Sequence, residues 1–538
     1  MKDTVLLVHR VRLELDSPIE AAFRCAGERL RALGISLTDA HFSLYRKSVD
    51  ARKKQDVHFV CSVAVTVSVR KVDEERMLRH NVSVLKEDVP PVVFGKELLS
   101  APPVVVGSGP CGLFCALLLA ENGYRPILIE RGGSVQERRA AVERFRTLRI
   151  LDTETNIQFG AGGAGTFSDG KLVTRVSDPM TAFVLRTFVA FGAPESILTA
   201  AKPHIGTDIL SVIVDRMLAR IIALGGEVRY HTCFRGFTES GGMLTSVETD
   251  RGSIGCGALV LAIGHSARDT YTYLLSRGLS VESKSFSVGM RIEHRASDID
   301  EAMYGRMAGH PALGHAEYAL SYNTNERGVY TFCMCPGGVV VAATSEEEAV
   351  VVNGMSEHRR DGENSNSAVL CSIFREDYGA EPMAAIQLQR RIEHAAFVAG
   401  GESYATPLTT VGDFLDGTAA TTQPSRVRPT YMNGDAYRLA SPDTYLPPVV
   451  CRTIAAGLGD FDKKIHGFAA RDAILCGAET RTSAPLRLLR DKTTRLSLGY
   501  ENLYPAGEGA GYAGGITSAS LDGIYTARAI MERFAPLS

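Results

Sequence analysis

At 538 residues the chain is long enough for two to four domains with sizeable cores. It is 45% hydrophobic and 22% charged with a formal net charge of −2, so nothing points to nucleic acid or an anionic membrane surface as partner. No apolar run reaches the roughly 18–20 residues of a membrane span, and Met1-Lys2-Asp3-Thr4 does not begin a signal peptide, which sets the expectation of a cytoplasmic protein. The eleven cysteines contain no C-x-x-C pair and the 13 histidines are dispersed, so reduced thiols and no metal site are expected.

Residues 1–95 read as a small α/β domain. Residues 5–15 alternate as a strand, with Val5, Leu7, Val11 and Leu13 on its apolar side. Ser17 then stands as N-cap, Pro18 at the first helical position and Glu20 in capping-box position of a helix that Gly34 ends. A β-prone stretch covers 57–69. Arg46-Lys47 with Arg52-Lys53-Lys54 reads as a solvated hairpin tip. Asp88-Val89-Pro90-Pro91 to Pro102-Pro103 punctuates a boundary.

Residues 101–283 open a nucleotide-binding domain. Val104-Val105-Val106 is a buried strand, and Gly107, Gly109 and Gly112 follow at G-x-G-x-x-G spacing. Gly107 permits the tight turn, Gly109 lets backbone approach a pyrophosphate, and Gly112 lets the next helix lie against the strand. Pro110 and Cys111 lie between them, at a helix N-terminus whose free N–H groups favour phosphate. Glu130, 18 residues after Gly112, ends the next strand, where an acid accepts from a ribose diol and repels a 2′-phosphate; Arg131 follows it. A charged helix spans 134–148, and then five glycines, among them Gly162, Gly163 and Gly165, fall within residues 160–170. Such a stretch cannot be a stable helix or central strand and presents its backbone to a ligand. Lys171 and Arg175 beside it could meet phosphate or an anionic substrate. Residues 206–264 form a βαβ-like return ending in an apolar strand that closes on Ala262-Ile263-Gly264-His265.

The pattern turns β-rich from 284 to 480, read as a substrate domain inserted into the first. Strands are expected at 285–292, 329–334 and 339–343, with a turn at Pro336-Gly337-Gly338 and a polar surface loop at 361–367. Cys333 and Cys335, the one close thiol pair, would share a strand face. Glu479 and Arg481 lie where the chain re-enters the first domain; they either bound a substrate cavity or form an interdomain ion pair. Residues 481–538 close the nucleotide domain. A short strand runs into Gly507-Glu508, and Gly514-Gly515-Ile516 opens a helix over 517–534.

The glycine turn with Glu130, the strand end at Gly264 and the Pro505-Ala506-Gly507-Glu508 segment together resemble a glutathione-reductase-type FAD domain. Residues 156–172, 264–269, 333–338 and 507–521 more closely resemble a bacterial FAD-dependent dehydrogenase family of unassigned substrate, over roughly 45–530. The resemblance implies a doubly wound parallel-sheet FAD domain, an inserted β-rich α+β domain and a small N-terminal α/β domain. It implies that Gly107, Gly109 and Gly112 hold the FAD pyrophosphate and Glu130 the adenosine ribose. Glu508 would stand near the ribityl chain, with the N–H groups of Gly514, Gly515 and Ile516 at the flavin's pyrimidine edge. The expected activity is hydride transfer between flavin and a small-molecule substrate, with NADH or NADPH as a transient electron donor. The second G-x-G-x-x-G and the C-x-x-C of disulfide reductases are absent, which disfavours that mechanism. Two alternatives remain: a flavin-containing RNA-modification or RNA-binding protein, resting on residues 46–54 and Arg426-Val427-Arg428, and an NAD-dependent dehydrogenase.

Overall fold

The N-terminal strand Lys2–Leu13 pairs antiparallel with His58–Val69, and His41–Asp50 and Val82–Val84 complete a four-stranded sheet in this computed structural model, which describes residues 2–69, 73–85, 91–174 and 178–537. The expected alternation breaks where the register shifts between Val8 and Val11, with Arg10 at φ +53°. The bulge switches the parity of the strand. Leu6 and Val8 before it, and Val11 and Leu13 after it, therefore all enter the core beneath helix Glu20–Ala32. Ile19, without a side-chain cap, precedes that helix in place of the anticipated Ser17 cap. Arg46 and Lys47 belong to strand His41–Asp50, so the hairpin tip is shorter and less basic than expected. Asp88, Val89, Pro90 and Arg175 lie outside the described residues.

A five-stranded parallel sheet carries the glycine turn. Its order is Leu503–Pro505, Ala258–Leu261, Pro103–Val106, Ile127–Ile129, Glu227–Arg229. Both faces of the sheet are covered, which is why its central strands are continuous apolar runs. Helices Pro110–Glu121, Thr207–Ala223 and Ile516–Arg533 bury one face. A three-stranded antiparallel meander, 234–255, and helix Arg268–Ser276 bury the other. Helices Pro110–Glu121 and Ile516–Arg533 pack at backbone distance: a Cβ on Gly523 would stand 2.1 Å from the Cys111 carbonyl oxygen.

The β-rich part is built on a seven-stranded sheet in the order Ser321–Asn323, Gly328–Cys335, Asn364–Ile373, Phe286–Arg295, Ile474–Glu479, Thr406–Thr410, Tyr437–Leu439. Its apolar core is continuous with that of the N-terminal sheet. Here the polar stretch 361–367 departs from expectation. Asn364, Ser365, Asn366 and Ser367 begin a central strand and are all buried. Each has a partner that makes burial tolerable: Asn364 donates to Glu293, Ser365 accepts from Gly337 N–H, Asn366 accepts from Arg291, and Ser367 pairs with Tyr318.

Candidate functional site

The glycine turn has the geometry its spacing demands. Gly107 sits at φ +96°, and a Cβ there would lie 2.4 Å from the Ala262 carbonyl oxygen. On Gly112 a Cβ would lie 1.8 Å from the Gly107 oxygen, so only glycine lets the helix approach the strand this closely. Gly109 caps helix Pro110–Glu121 without a side chain, leaving its first N–H groups to whatever lies in front.

What lies in front is a cavity of about 470 Å³ at the carboxyl ends of the parallel strands, bounded on its far side by the seven-stranded sheet. Gly107, Gly109, Pro110, Cys111, Glu130 and Arg131 line it. So do Gly163 and Gly165 of the glycine-rich loop, and Ala262 and Gly264 of the strand end. From the far end of the sequence come Glu508, Gly514, Gly515 and Ile516. Gly112, Gly162 and Gly507 do not line it. Gly112 packs on the Gly107 carbonyl, Gly162 on Thr166 and Val214, and Gly507 on Cys111.

Glu130 is more heavily engaged than a ribose acceptor requires. One carboxylate oxygen accepts from Ser108 N–H and Oγ at 3.0 and 2.6 Å, the other from the N–H groups of Gly132 and Gly160 at 3.0 and 2.9 Å. Those donors match the roughly four lone-pair positions of a carboxylate. A ribose diol there has to share oxygens that also clamp three loops together. Arg131 is held by Glu154 and Asp269, its guanidinium 4.3 Å above the Phe159 ring.

The glycine-rich loop is shaped by a residue the sequence did not single out. Arg138, fully buried on the charged helix Val135–Leu148, donates to the carbonyls of Asn156, Ile157, Gly160, Ala161 and Gly163. Nη1 is shared among the Gly160, Ala161 and Gly163 carbonyls, with Nε on Asn156 and Nη2 on Ile157; burial lowers its proton affinity to about 10, and it stays charged at neutral pH. Nothing in an amphipathic charged helix distinguishes this arginine from its exposed neighbours.

All four residues considered for catalysis, Cys333, Cys335, Glu479 and Arg481, line the cavity. Glu479 and Arg481 do not pair with each other. Arg291 grips Glu479 through two bonds of 2.7 Å, and Arg481 bonds Glu393. The two thiols both line the cavity but do not sit in the regular strand expected for them. The register shifts between Phe332 and Cys335, with Cys333 at φ +41°, and Cys333 is exposed where Cys335 is buried. Arg291 holds the Cys333 carbonyl and Lys171 the Met334 carbonyl of this bulge. The enclosing protein pushes Cys333 up to about 12 and Cys335 to about 11, so neither is a thiolate at neutral pH. The sequence signal for this arrangement was the pair of charges, Arg291 and Glu293, set inside an apolar strand.

Two further titratable groups face the cavity. Burial pushes the Glu508 carboxyl up to about 7, opposed by Lys284. Burial, with Arg481 and Arg268 nearby, pushes His265 down to about 3; its Nδ1 pairs with Ser266 Oγ at 2.8 Å. His265 is therefore a neutral hydrogen-bonding group at physiological pH.

These features fit an extended dinucleotide such as FAD. A glycine cradle meets a helix N-terminus, and Gly514 and Gly515 have no atom within 4 Å of where a Cβ would stand, so their backbone faces open space. Among the described residues no group of His, Cys, Asp and Glu is placed to hold a metal ion, and no helix is long and apolar enough to cross a membrane. Arg426, one of the basic residues on which RNA binding rested, is paired with Asp298 and Asp472.

Comparison with known proteins agrees. Residues 101–155 match the family model of an FAD binding domain, and 285–482 that of an FAD-dependent protein, C-terminal domain-like. Both descriptions name FAD; neither names NAD or RNA. An uncharacterized protein of Clostridium beijerinckii (strain ATCC 51743 / NCIMB 8052) is 42% identical over 532 residues, 98% of each chain. Among solved structures, an L-amino acid deaminase from Proteus vulgaris with its specific insertion deleted is 10% identical at a TM-score of 0.34, covering 84% of this chain and 94% of that one. Glycine oxidase from Bacillus cereus ATCC 14579 is 10% identical at 0.31, covering 80% and 94%. A geranylgeranyl bacteriochlorophyll reductase-like protein from Thermoplasma acidophilum is 10% identical at 0.37, covering 81% and 78%. Similarity that low says nothing about substrate. The chain belongs to the family of the Clostridium beijerinckii protein and is an FAD-dependent oxidoreductase.

Proposed function

We propose that this enzyme moves a hydride equivalent between FAD and a small organic substrate. One observation carries the reading: a single cavity is lined both by the glycine turn and helix N-termini of the parallel-sheet part and by Cys333, Glu479 and Arg481 of the β-rich part. Bound FAD supplies two-electron chemistry. The chain supplies position and environment. Gly109 and Cys111, at the start of helix Pro110–Glu121, hold the pyrophosphate with backbone N–H groups and the positive helix end, and Pro110, which has no N–H to offer, packs beside it. Glu130 and Arg131 bound the adenosine, Glu508 the ribityl chain, and Gly163, Gly165, Gly514, Gly515 and Ile516 the isoalloxazine. Ala262 and Gly264 close the wall between them. The β-rich part covers the opening and excludes water.

A glutathione-reductase-type form of the FAD domain is part of this proposal, supported by the parallel sheet with an antiparallel meander on one face. So is the division 1–95, 101–283, 284–480 and 481–538, supported by the four-stranded sheet in the first segment, the parallel sheet with its meander in the second, the seven-stranded sheet in the third, and the return of strand Leu503–Pro505 to the second. NADH or NADPH enters as electron donor. Purified protein reconstituted with FAD is expected to show a flavin absorption spectrum that survives gel filtration. Anaerobic bleaching by NADH, NADPH or one of a panel of metabolites then identifies the donor. A colourless protein after reconstitution overturns the reading.

A further inference from the structure

Ion pairs between the nucleotide-binding part and the β-rich part, along the cavity wall, do not balance. On one stretch of wall three cations, Lys171, Lys202 and Arg360, surround two carboxylates, Asp169 and Glu317. Arg360 bonds both carboxylates and Lys202 stands 3.4 Å from Glu317. Lys171 lines the cavity and makes no direct ion pair among the described residues; it shares the charge of Glu317 with Arg360 and Lys202, and its one hydrogen bond goes to the neutral Met334 carbonyl. On another stretch Arg268, Arg481 and Arg390 share two carboxylates, Glu393 and Glu346. Only Arg481 of these three arginines lines the cavity. Between the groups Arg291 neutralises Glu479 one for one. Each group thus counts one cation more than carboxylates, the outer cations Lys202 and Arg390 standing half in solvent while Lys171 and Arg481 face the cavity.

Both cavity-facing cations also keep donors unspent. An ammonium has three N–H bonds and Lys171 uses one, on Met334. A guanidinium has five, and Arg481 uses three, two on Glu393 and one on Ser345. Burial, with Arg268 nearby, weakens the hold of Arg481 on its proton, and Glu393 and Glu346 offset this only in part. The backbone beside Lys171 turns carbonyls, not N–H groups, toward the cations at Cys333 and Met334. A nest of consecutive N–H groups, the usual phosphate cradle, is not what this wall presents.

We infer that the substrate is a small organic acid bound as its carboxylate, with Lys171 as counter-charge and Arg481 as a second donor. This rests on the cofactor reading above and names the class of molecule that shares the cavity with FAD. Bound there, the carboxylate cancels the excess charge and occupies the spare N–H groups. The same groups leave an uncharged analogue without compensation for the water it displaces.

Isothermal titration calorimetry of the FAD-loaded protein tests it, with acetate, succinate and benzoate set against acetamide, succinamide and benzamide, and against inorganic phosphate. At least one acid is expected to bind, and its amide about tenfold or more weakly, the loss a charge-assisted bond implies. Lys171→Met is expected to lose about tenfold in affinity for that acid and Lys171→Arg to stay within about threefold of the parent protein. Equal binding of acid and amide, binding of phosphate but of no acid, no binding of any acid, or an unaltered affinity in K171M each overturns the inference. The acid–amide comparison uses the unaltered protein, so it stands even if K171M does not fold. Visible absorption of the same sample reports FAD separately: loss of colour defeats the cofactor reading, whereas a yellow protein indifferent to acids defeats only this one.

Discussion

Glu508 has a carboxyl that burial brings into the working pH range. Burial pushes its carboxyl up from 4.5 to about 7, and Lys284 offsets this only partly. A group whose folded pKa is raised contributes stability that is complete below its unfolded value and is lost as pH rises through the folded value. The window is therefore about pH 4.5–7, and a shift of that size is worth about 1–3 kcal/mol once cavity water is allowed for. Glu508→Gln is expected to remove this slope: the mutant's melting temperature, measured without FAD, should gain on the parent's between pH 5 and 8, by roughly that energy. Parallel melting curves across the window would refute it.

At the scale of elements, two glycines that look alike in the sequence separate cleanly. Gly112→Ala drives a Cβ to 1.8 Å from the Gly107 oxygen, so helix and strand must part; the expected cost is about 1–3 kcal/mol, with FAD lost as the turn opens. On Gly514 a Cβ meets no atom within 4 Å. Gly514→Ala should therefore keep its stability within about 0.5 kcal/mol and lose FAD affinity alone. Thermal melts and flavin-to-protein ratios of the two variants distinguish these outcomes; a destabilised G514A would contradict the geometry.

The same scale shows what was legible beforehand. The glycine spacing, the apolar strands of the parallel sheet, the charged helix after Ser134, and the return of residues 503–533 were readable because local chemistry dictates them. Strand Asn364–Ile373 was not, because its polar start is buried only by partners far away in sequence. Arg138 was hidden for the same reason: its acceptors are carbonyls, which every residue has. The Cys333 bulge was missed because strand periodicity assumes an unbroken register.

For the whole molecule, cohesion between the two halves runs through buried charge. Arg268, on the helix after the parallel sheet, forks onto Glu393 of helix Ala384–Ala399, and Arg481 joins from the other side. Glu393→Gln leaves both arginines buried with too little counter-charge and is expected to cost about 3–5 kcal/mol in urea unfolding. A loss below about 1 kcal/mol would mean that the arginines find another partner. The parallel sheet has a consequence in time as well. Strand Leu503–Pro505 flanks Ala258–Leu261, and helix Ile516–Arg533 lies on Pro110–Glu121, so the nucleotide half cannot be completed during synthesis until residues 503–533 emerge. The four-stranded N-terminal sheet, made of near neighbours, can assemble long before. A nascent chain halted anywhere ahead of Leu503 would carry a finished first sheet and a large half-built core with nowhere to keep its cofactor, so flavin capture belongs to the last moments of translation or later.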